Sequence, residues 1–406
     1  MRKLHVLVSG AGIAGPALAF WLVRRGVRCT LVERAATLRS GGQAVDFRGP
    51  VHRAVLERME LWDAIHERRT KPADLVILDE RGRATATLPP VVIGGDVEIL
   101  RGDLSELLFE RVRSDVEARF GDSIASLSED ALGVDVRFES GARDRFDLVV
   151  AADGLRSRTR SMAFPEPPEV AHHGHRCVGF GHANALGLEG ETLLWSAPGR
   201  SALVSDTGAL FVFTGRPIAR GEEPRALTRA RYGADRWEVP RLLDALDAAE
   251  DVYFDAIGSV RAPRWSSGRI ALLGDAAWGG TLGGQGTSLA IIGAYVLAGE
   301  LARAGGVHTA AFAAYESRMR PFATRCQRGA ERAGGFLAPR TSLGLRARSA
   351  FYGAMASPRM VGFFERLVKS SAADFDLPDY ADVALAPRRE RSKGSRDAEL
   401  QVCAQP

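Results

Sequence analysis

The chain has 406 residues, 46% of them hydrophobic and 26% charged, with a formal net charge of +4. This balance suits a globular protein of about two domains and excludes a fibrous or wholly disordered chain. Residues 387–406 carry five basic and three acidic side chains, which is half of the excess charge. The body is therefore only mildly basic and offers little to nucleic acid, while the tail reads as disordered. The four cysteines, Cys29, Cys177, Cys326 and Cys403, form no CxxC pair, so reduced thiols and a cytoplasmic location are expected. No charge-free apolar run reaches the length of a membrane span, and glycines interrupt the N-terminal apolar run where a signal peptide would be continuous.

In chain order, residues 4–8 read as a buried strand, followed by Gly10-Ala11-Gly12-Ile13-Ala14-Gly15 and a helix to about residue 25. Ala17, Leu18, Trp21 and Leu22 form its apolar positions. A second strand, residues 27–32, ends at Glu33, 18 residues after Gly15. A GxGxxG run between strand and helix is a dinucleotide fingerprint. The first glycine allows the tight turn, the second lets a pyrophosphate approach the backbone, and the third lets the helix sit on the sheet. Glu33 is placed to accept ribose hydroxyls, which favours FAD or NAD over NADP; the adjacent Arg34 pulls the other way. Gly179-Phe180-Gly181 falls inside a strand pattern with no helix after it and is not a second such site.

Residues 39–48 form a glycine-containing loop with one acid, Asp46, a candidate cofactor contact, and lead to a helix near residues 51–58. Residues 74–88 predict a hairpin turning at 80–83. Arg101 precedes a helix with Asp103 as its expected N-cap and Leu104, Leu107, Leu108 and Val112 on its apolar face. Residues 145–152 predict one buried parallel strand, which opens into Asp153-Gly154 and closes with Ser157 and Arg160. From residue 169 to 260 short alternating strands predict a largely antiparallel sheet, with a charged helix at 240–250. His172, His173 and His175 lack a carboxylate or cysteine at ligand spacing, so no metal is expected.

Residues 270–273 are a short apolar strand ending at Gly274-Asp275. An acid there would accept hydrogen bonds from a polyhydroxyl chain in the crevice above a parallel sheet. A glycine-rich loop follows. A long apolar helix then begins near Gln285 or Gly286, its N-terminal N–H groups favouring negative charge. Helices are expected at 308–334 and about 345–368.

GxGxxG with Glu33, the Asp153-Gly154-x-x-Ser157-x-x-Arg160 turn and Gly274-Asp275, in this order, resemble the single-component FAD-dependent monooxygenases of the para-hydroxybenzoate hydroxylase type. The nearest likeness is to the branch of tetracycline-inactivating and polyketide-tailoring enzymes. The resemblance covers about residues 1–380. It implies an α/β fold: a Rossmann-like FAD-binding domain (1–73, 98–168 and 261–340) interlaced with a largely antiparallel β-sheet substrate domain (74–97 and 169–260), then C-terminal helices (341–380) and a tail (381–406). It implies FAD as cofactor and NAD(P)H as co-substrate, with oxygen adding to form a hydroperoxyflavin that oxygenates an aromatic or polyketide-like small molecule. It also implies natural-product tailoring or antibiotic modification, by a monomer or homodimer.

The same resemblance implies that Gly10, Gly12, Ile13, Ala14 and Gly15 hold the pyrophosphate, Glu33 and Arg34 lie at the adenosine ribose, and Arg101 reaches the ribityl-pyrophosphate region. It assigns Asp153 and Gly154 to a motif shared with the nicotinamide, Gly274 and Asp275 to the ribityl chain, and Gly284, Gln285 and Gly286 to the flavin pyrimidine edge. No general base is evident. One departure stands out. The family carries proline shortly after its Gly-Asp-Ala-Ala segment, whereas this chain reads Trp278-Gly279-Gly280-Thr281-Leu282-Gly283. Glycine-rich backbone is freer, which motivates a second reading, a flavin dehydrogenase or cyclase without oxygen transfer. A non-catalytic flavin-binding protein is the third.

Overall fold

In the computed structural model, the described residues are 4–38, 44–219, 221–281, 286–357, 359–362 and 375–380. Two sheets dominate. The first has six strands in the order Ser266–Ser267, Ile270–Leu272, Leu148–Ala151, His5–Ser9, Arg28–Glu33 and Glu117–Phe120. All neighbours run parallel except the Ser266–Ser267 edge. Counted along the chain, its five parallel strands lie in the order 3-2-1-4-5, the doubly wound arrangement.

The continuous apolar character of these strands follows from burial on both faces. Val6, Val8, Leu31, Leu148 and Val150 pack under the helices, including Ala14–Arg24. Their alternates Leu7, Val32, Val149 and Ile270 pack against Val134, Val136 and Phe138 of a three-stranded antiparallel sheet, residues 124–146.

The second large sheet has seven strands, in the order Val252–Val260, Val170–Gly181, Gly208–Thr214, Arg200–Val204, Glu191–Ala197, Asp74–Leu78 and Ala84–Leu88. It is antiparallel except where Glu191–Ala197 meets Asp74–Leu78. Helices Pro224–Tyr232 and Val239–Ala248 cover one face through Tyr232, Leu242, Leu243 and Leu246 against Trp195, Phe211 and Phe213. The Tyr232 hydroxyl donates to Ser201 O at 2.7 Å or Val212 O at 2.8 Å, so this large ring is buried without a stranded polar atom. The expected architecture of Rossmann-like domain, interlaced antiparallel sheet and C-terminal helices is the one observed.

Several local expectations need correction. Residues 145–152 are not one strand. Arg143–Phe146 pairs antiparallel in the small sheet, and Leu148–Ala151 pairs parallel in the large one. Asp147 makes the break, its buried carboxylate accepting the His5 N–H at 2.8 Å. Asp103 is not an N-cap: the cap is Leu100, extended and three residues earlier, and Asp103 lies in the first turn of helix Arg101–Glu110. Helix Pro224–Tyr232 and strands Glu117–Phe120 and Ile124–Glu129 were not anticipated. The expected helix at about 345–368 is not one helix: Ser342–Met355 begins earlier and ends at a turn at 356–357, residues 359–362 are helical again, and residues 363–374 and the tail lie outside the described residues.

Two helices tie the sheets together. His308–Leu337 anchors on the first sheet, where the Tyr315 hydroxyl donates to Leu272 O at 3.0 Å. Its far end reaches the second, where Leu337 and Ala338 join Cys177, Leu210, Val212 and Ile257. Buried Arg348, on Ser342–Met355, donates to Leu337 O at 2.6 Å and Ser196 Oγ at 2.7 Å.

The other long helix, Gly286–Arg303, is apolar on nearly every side because it is buried on nearly every side. Its outer face is closed by residues 375–380. Tyr380 lies over Gly299, where a Cβ would meet its ring at 2.3 Å, and its hydroxyl donates to Glu300 Oε1 at 2.6 Å. Replacing this buried ring, Tyr380→Ala, is expected to cost roughly 3–5 kcal/mol. Denaturant titration of the variant against wild type checks it.

Candidate active site

The parallel sheet reverses its strand order between His5–Ser9 and Leu148–Ala151. In this architecture ligands sit at that switch point, beyond the strands' carboxyl ends. The three sequence motifs meet there. A Cβ on Gly10, whose φ is +107°, would lie 2.5 Å from Ala152 O and 3.0 Å from Asp153 Cα. A Cβ on Gly274, whose φ is +64°, would lie 3.0 Å from the Ala14 Cβ and 3.5 Å from the Ala290 Cβ. The first turn therefore touches the Asp153 turn on one side and the Gly274 turn and late helix on the other.

The fingerprint glycines differ in what surrounds them. Gly10 donates to Val32 O at 2.7 Å to close the turn. Gly15 lets the helix, capped by Ile13 and begun by Ala14, lie on the turn, since its Cβ would fall 1.9 Å from Gly10 O. Gly12 faces open space, with nothing within 4 Å of its would-be Cβ, as a turn that receives phosphate requires. Glu33 lies across this turn, its Oε2 accepting the Ala11 N–H at 2.8 Å and its Oε1 the Ala35 N–H at 2.9 Å. Each oxygen keeps a lone pair for a ribose hydroxyl. Arg34 is exposed beside it. Asp46, on Ala44–Phe47, lies 3.9 Å from Arg48 across a loose ion contact.

Asp153 organises its own turn. Its carboxylate accepts from the Ser157 hydroxyl, from Thr159 N at 3.0 Å and from the Thr159 hydroxyl at 2.9 Å. Gly154, at φ +88°, leaves open space beside it. Buried Arg160 reaches across to donate to Ala276 O at 2.9 Å, which binds the Asp153 turn to the segment after Asp275. Burial pulls its guanidinium below the ordinary value, and Asp153 opposes that; it stays charged.

Asp275 is half-buried, and among the described residues its carboxylate has no hydrogen-bond donor. Burial pushes its carboxyl above the ordinary range, the Arg101 charge pulls it down, and Asp255 pushes it up again. Arg101 heads its helix, is exposed, and faces this acid across the crevice. Gly286 opens the late helix with its would-be Cβ 3.4 Å from Asp275 Oδ1. Gly284 and Gln285 lie outside the described residues.

Other residues at this site were not found from the sequence. Ser105 donates to Gly12 O at 3.3 Å and braces the turn from the helix of Arg101. Thr159 links Asp153 to Ser9. Asp255, on the second sheet, pairs with Arg156 at 2.6 Å, and the Tyr253 hydroxyl is 3.4 Å from the same carboxylate. Only long-range pairing brings these together, and no local spacing signals them. The three histidines are engaged in backbone and serine hydrogen bonds within an irregular stretch of Val170–Gly181.

An open glycine cradle, a half-satisfied acid over it and, opposite an arginine, an acid without a donor among the described residues are the donor and acceptor set for a polyhydroxylated dinucleotide. Comparison with known proteins agrees. Residues 3–330 match the family model described as an FAD binding domain. The chain belongs to this FAD-binding family and is a flavin-dependent monooxygenase. It is 36% identical over 337 residues to a flavin-dependent monooxygenase of Legionella longbeachae, covering 79% of this chain and 86% of that one. It is 39% identical to protein Rv1260 of Mycobacterium tuberculosis, covering 79% and 91%. The crystal structure of tetracycline destructase Tet(51) superposes with a TM-score of 0.80 at 30% identity, covering 93% of this chain and all of that one.

Two outcomes follow. Gly15→Ala is expected to lower FAD affinity by an order of magnitude or more, since its methyl has no room; equilibrium dialysis with FAD measures this. For Asp275, a pKa above the unfolded value means that the folded state holds more protons through that window. Stability therefore falls as pH rises through it. Asp275→Asn is expected to make the ligand-free protein more stable near pH 7 while weakening FAD retention. Thermal melts of ligand-free protein across pH, with flavin content measured in parallel, check both directions.

Proposed function

We propose that this monooxygenase oxygenates a polycyclic phenol or enol of the polyketide type. Gly10, Gly12 and Gly15 cradle the FAD pyrophosphate and Glu33 takes the adenosine ribose. Arg101 neutralises the phosphate-ribityl side, and Asp275 accepts from ribityl hydroxyls. Gly154 leaves room for the nicotinamide of NADPH or NADH to approach. The observation that carries this reading is the convergence of the Gly10, Asp153 and Gly274 turns at the switch point, beside an Asp275 carboxylate that feels the Arg101 charge.

FAD, when bound, supplies the electron transfer and the oxygen chemistry. The chain supplies the rest. The turns fix the cofactor's position, the late helix presents N–H groups where negative charge develops, and the second sheet closes the crevice against water. A substrate that ionises itself, as a phenol or enol does, needs no protein base, and none is placed here. The likeness to enzymes named tetracycline destructases supports a fused-ring substrate. Work in the cytoplasm, where NAD(P)H is supplied, and a monomer or homodimer fit this chemistry.

The test is direct. Purified protein is loaded with FAD, reduced by NADPH or NADH under nitrogen, and mixed with oxygen and tetracycline or simpler naphthacene phenols. The expected outcome is a yellow protein whose reduction accelerates with a fused-ring phenol and whose product gains the mass of one oxygen atom. Reduction without oxygen incorporation into any of them would exclude this substrate class.

A further inference from the structure

The segment that leaves Asp275 is bonded to the second sheet. Val260 N donates to Gly279 O at 2.9 Å, Thr281 N donates to Gly258 O at 2.9 Å, and Gly280 bridges Ser259 in antiparallel sense. The Thr281 hydroxyl adds a bond to Ala256 O at 3.3 Å. Residues 279–281 thus lie along the edge strand Val252–Val260 as a short extra partner. Each glycine is hemmed in by a neighbour other than its partner in this pairing: a Cβ on Gly279 would meet Asp275 Cα at 2.8 Å, and one on Gly258 would meet Ala171 O at 2.7 Å on the other side of the strand. A proline at 281 would have no N–H to give. The same strand is held a second time, at Asp255, by Arg156 from the Asp153 turn.

We propose that Thr281 is a positioning residue acting through its backbone N–H. It fixes the segment after Asp275 to strand Val252–Val260, so that the cofactor turn and the substrate sheet keep one register. The absence of proline from this segment is then a requirement of the tether. The proposal rests on the assignment of Asp275 to FAD only for its consequence on the cofactor; the tether itself is tested without it.

Residue-resolved hydrogen exchange on the full chain, with and without FAD, is the experiment, together with FAD affinity by dialysis. In wild type the Thr281 and Val260 amides are expected to be protected whether or not FAD is present. Thr281→Pro is expected to cut protection of the Val260 amide, on the other sheet, by about tenfold, the order of one hydrogen bond lost, and to weaken FAD severalfold. Thr281→Val keeps the N–H and is expected to preserve both. The proposal is overturned if either wild-type amide exchanges like an open loop, if Thr281→Pro matches wild type, or if Thr281→Val loses as much as Thr281→Pro. Should the proline variant not fold, the wild-type exchange and the valine variant still decide. Protected amides in a protein that takes up no FAD would support the tether and remove the cofactor assignment instead.

Discussion

Backbone-to-backbone contact at the switch point is the constraint from which the rest of this structure follows. Three turns from residues 10–15, 152–160 and 274–279 crowd together so closely that a side chain at Gly10 would meet Ala152 O and one at Gly274 the Ala14 Cβ. Such crowding needs the parallel sheet behind it, because only adjacent strand ends bring segments so distant in sequence within contact. It also leaves polar groups with little water to turn to. Arg160 answers that by donating to Ala276 O and Leu155 O, and Asp153 by accepting from Ser157 and Thr159. The Asp153 motif is therefore as much a clamp on the Asp275 segment as a surface for a ligand.

The parts of this arrangement that were legible in the sequence are those whose cause is local. GxGxxG speaks through the spacing of a turn and a helix start, and Gly274-Asp275 through a buried strand that stops at an acid. Partners set by tertiary pairing were not legible. Ser105, Thr159 and Asp255 are ordinary polar residues until the fold brings Gly12, Ser9 and Arg156 to them. The run 145–152 misled for a related reason. Two strands in different sheets, both buried, make one unbroken apolar pattern, and only the Asp147 bond to the His5 N–H betrays the change of sheet. Asp103 misled because an acid in a helix's first turn and an acid at its N-cap look alike in sequence, both being favoured by the same unpaired N–H groups.

Charge in the crevice is arranged to be incomplete. Asp275 and Arg101 face each other without a hydrogen bond, and Glu33 keeps capacity beyond the two N–H groups it holds. A fold selected only for stability would pair or remove a half-buried acid that, like Asp275, has no donor among the described residues. Meanwhile the supports behind the crevice are bonded: Tyr315 to Leu272, Tyr380 to Glu300, and Arg348 across the second sheet through its two terminal nitrogens. Rigid supports with an unsatisfied mouth are what a preorganised binding site requires, since the cofactor then meets groups that need not rearrange.

The glycine-rich segment after Trp278 looked from sequence like a loosened version of the proline-bearing stretch in related enzymes. Proline stiffens a chain by fixing one dihedral angle, at the loss of a donor. Here the chain keeps the donors and uses them, through Thr281 to Gly258 O, with Val260 returning a bond to Gly279 O. Glycine at 279 is then no source of freedom, because paired backbone has its dihedrals set by the partner strand. Stiffness obtained this way differs in one respect: it belongs to two sheets at once, so the cofactor segment cannot shift without the strand that carries Tyr253 and Asp255. For residues 279–281, a slack backbone is thereby replaced by a paired one.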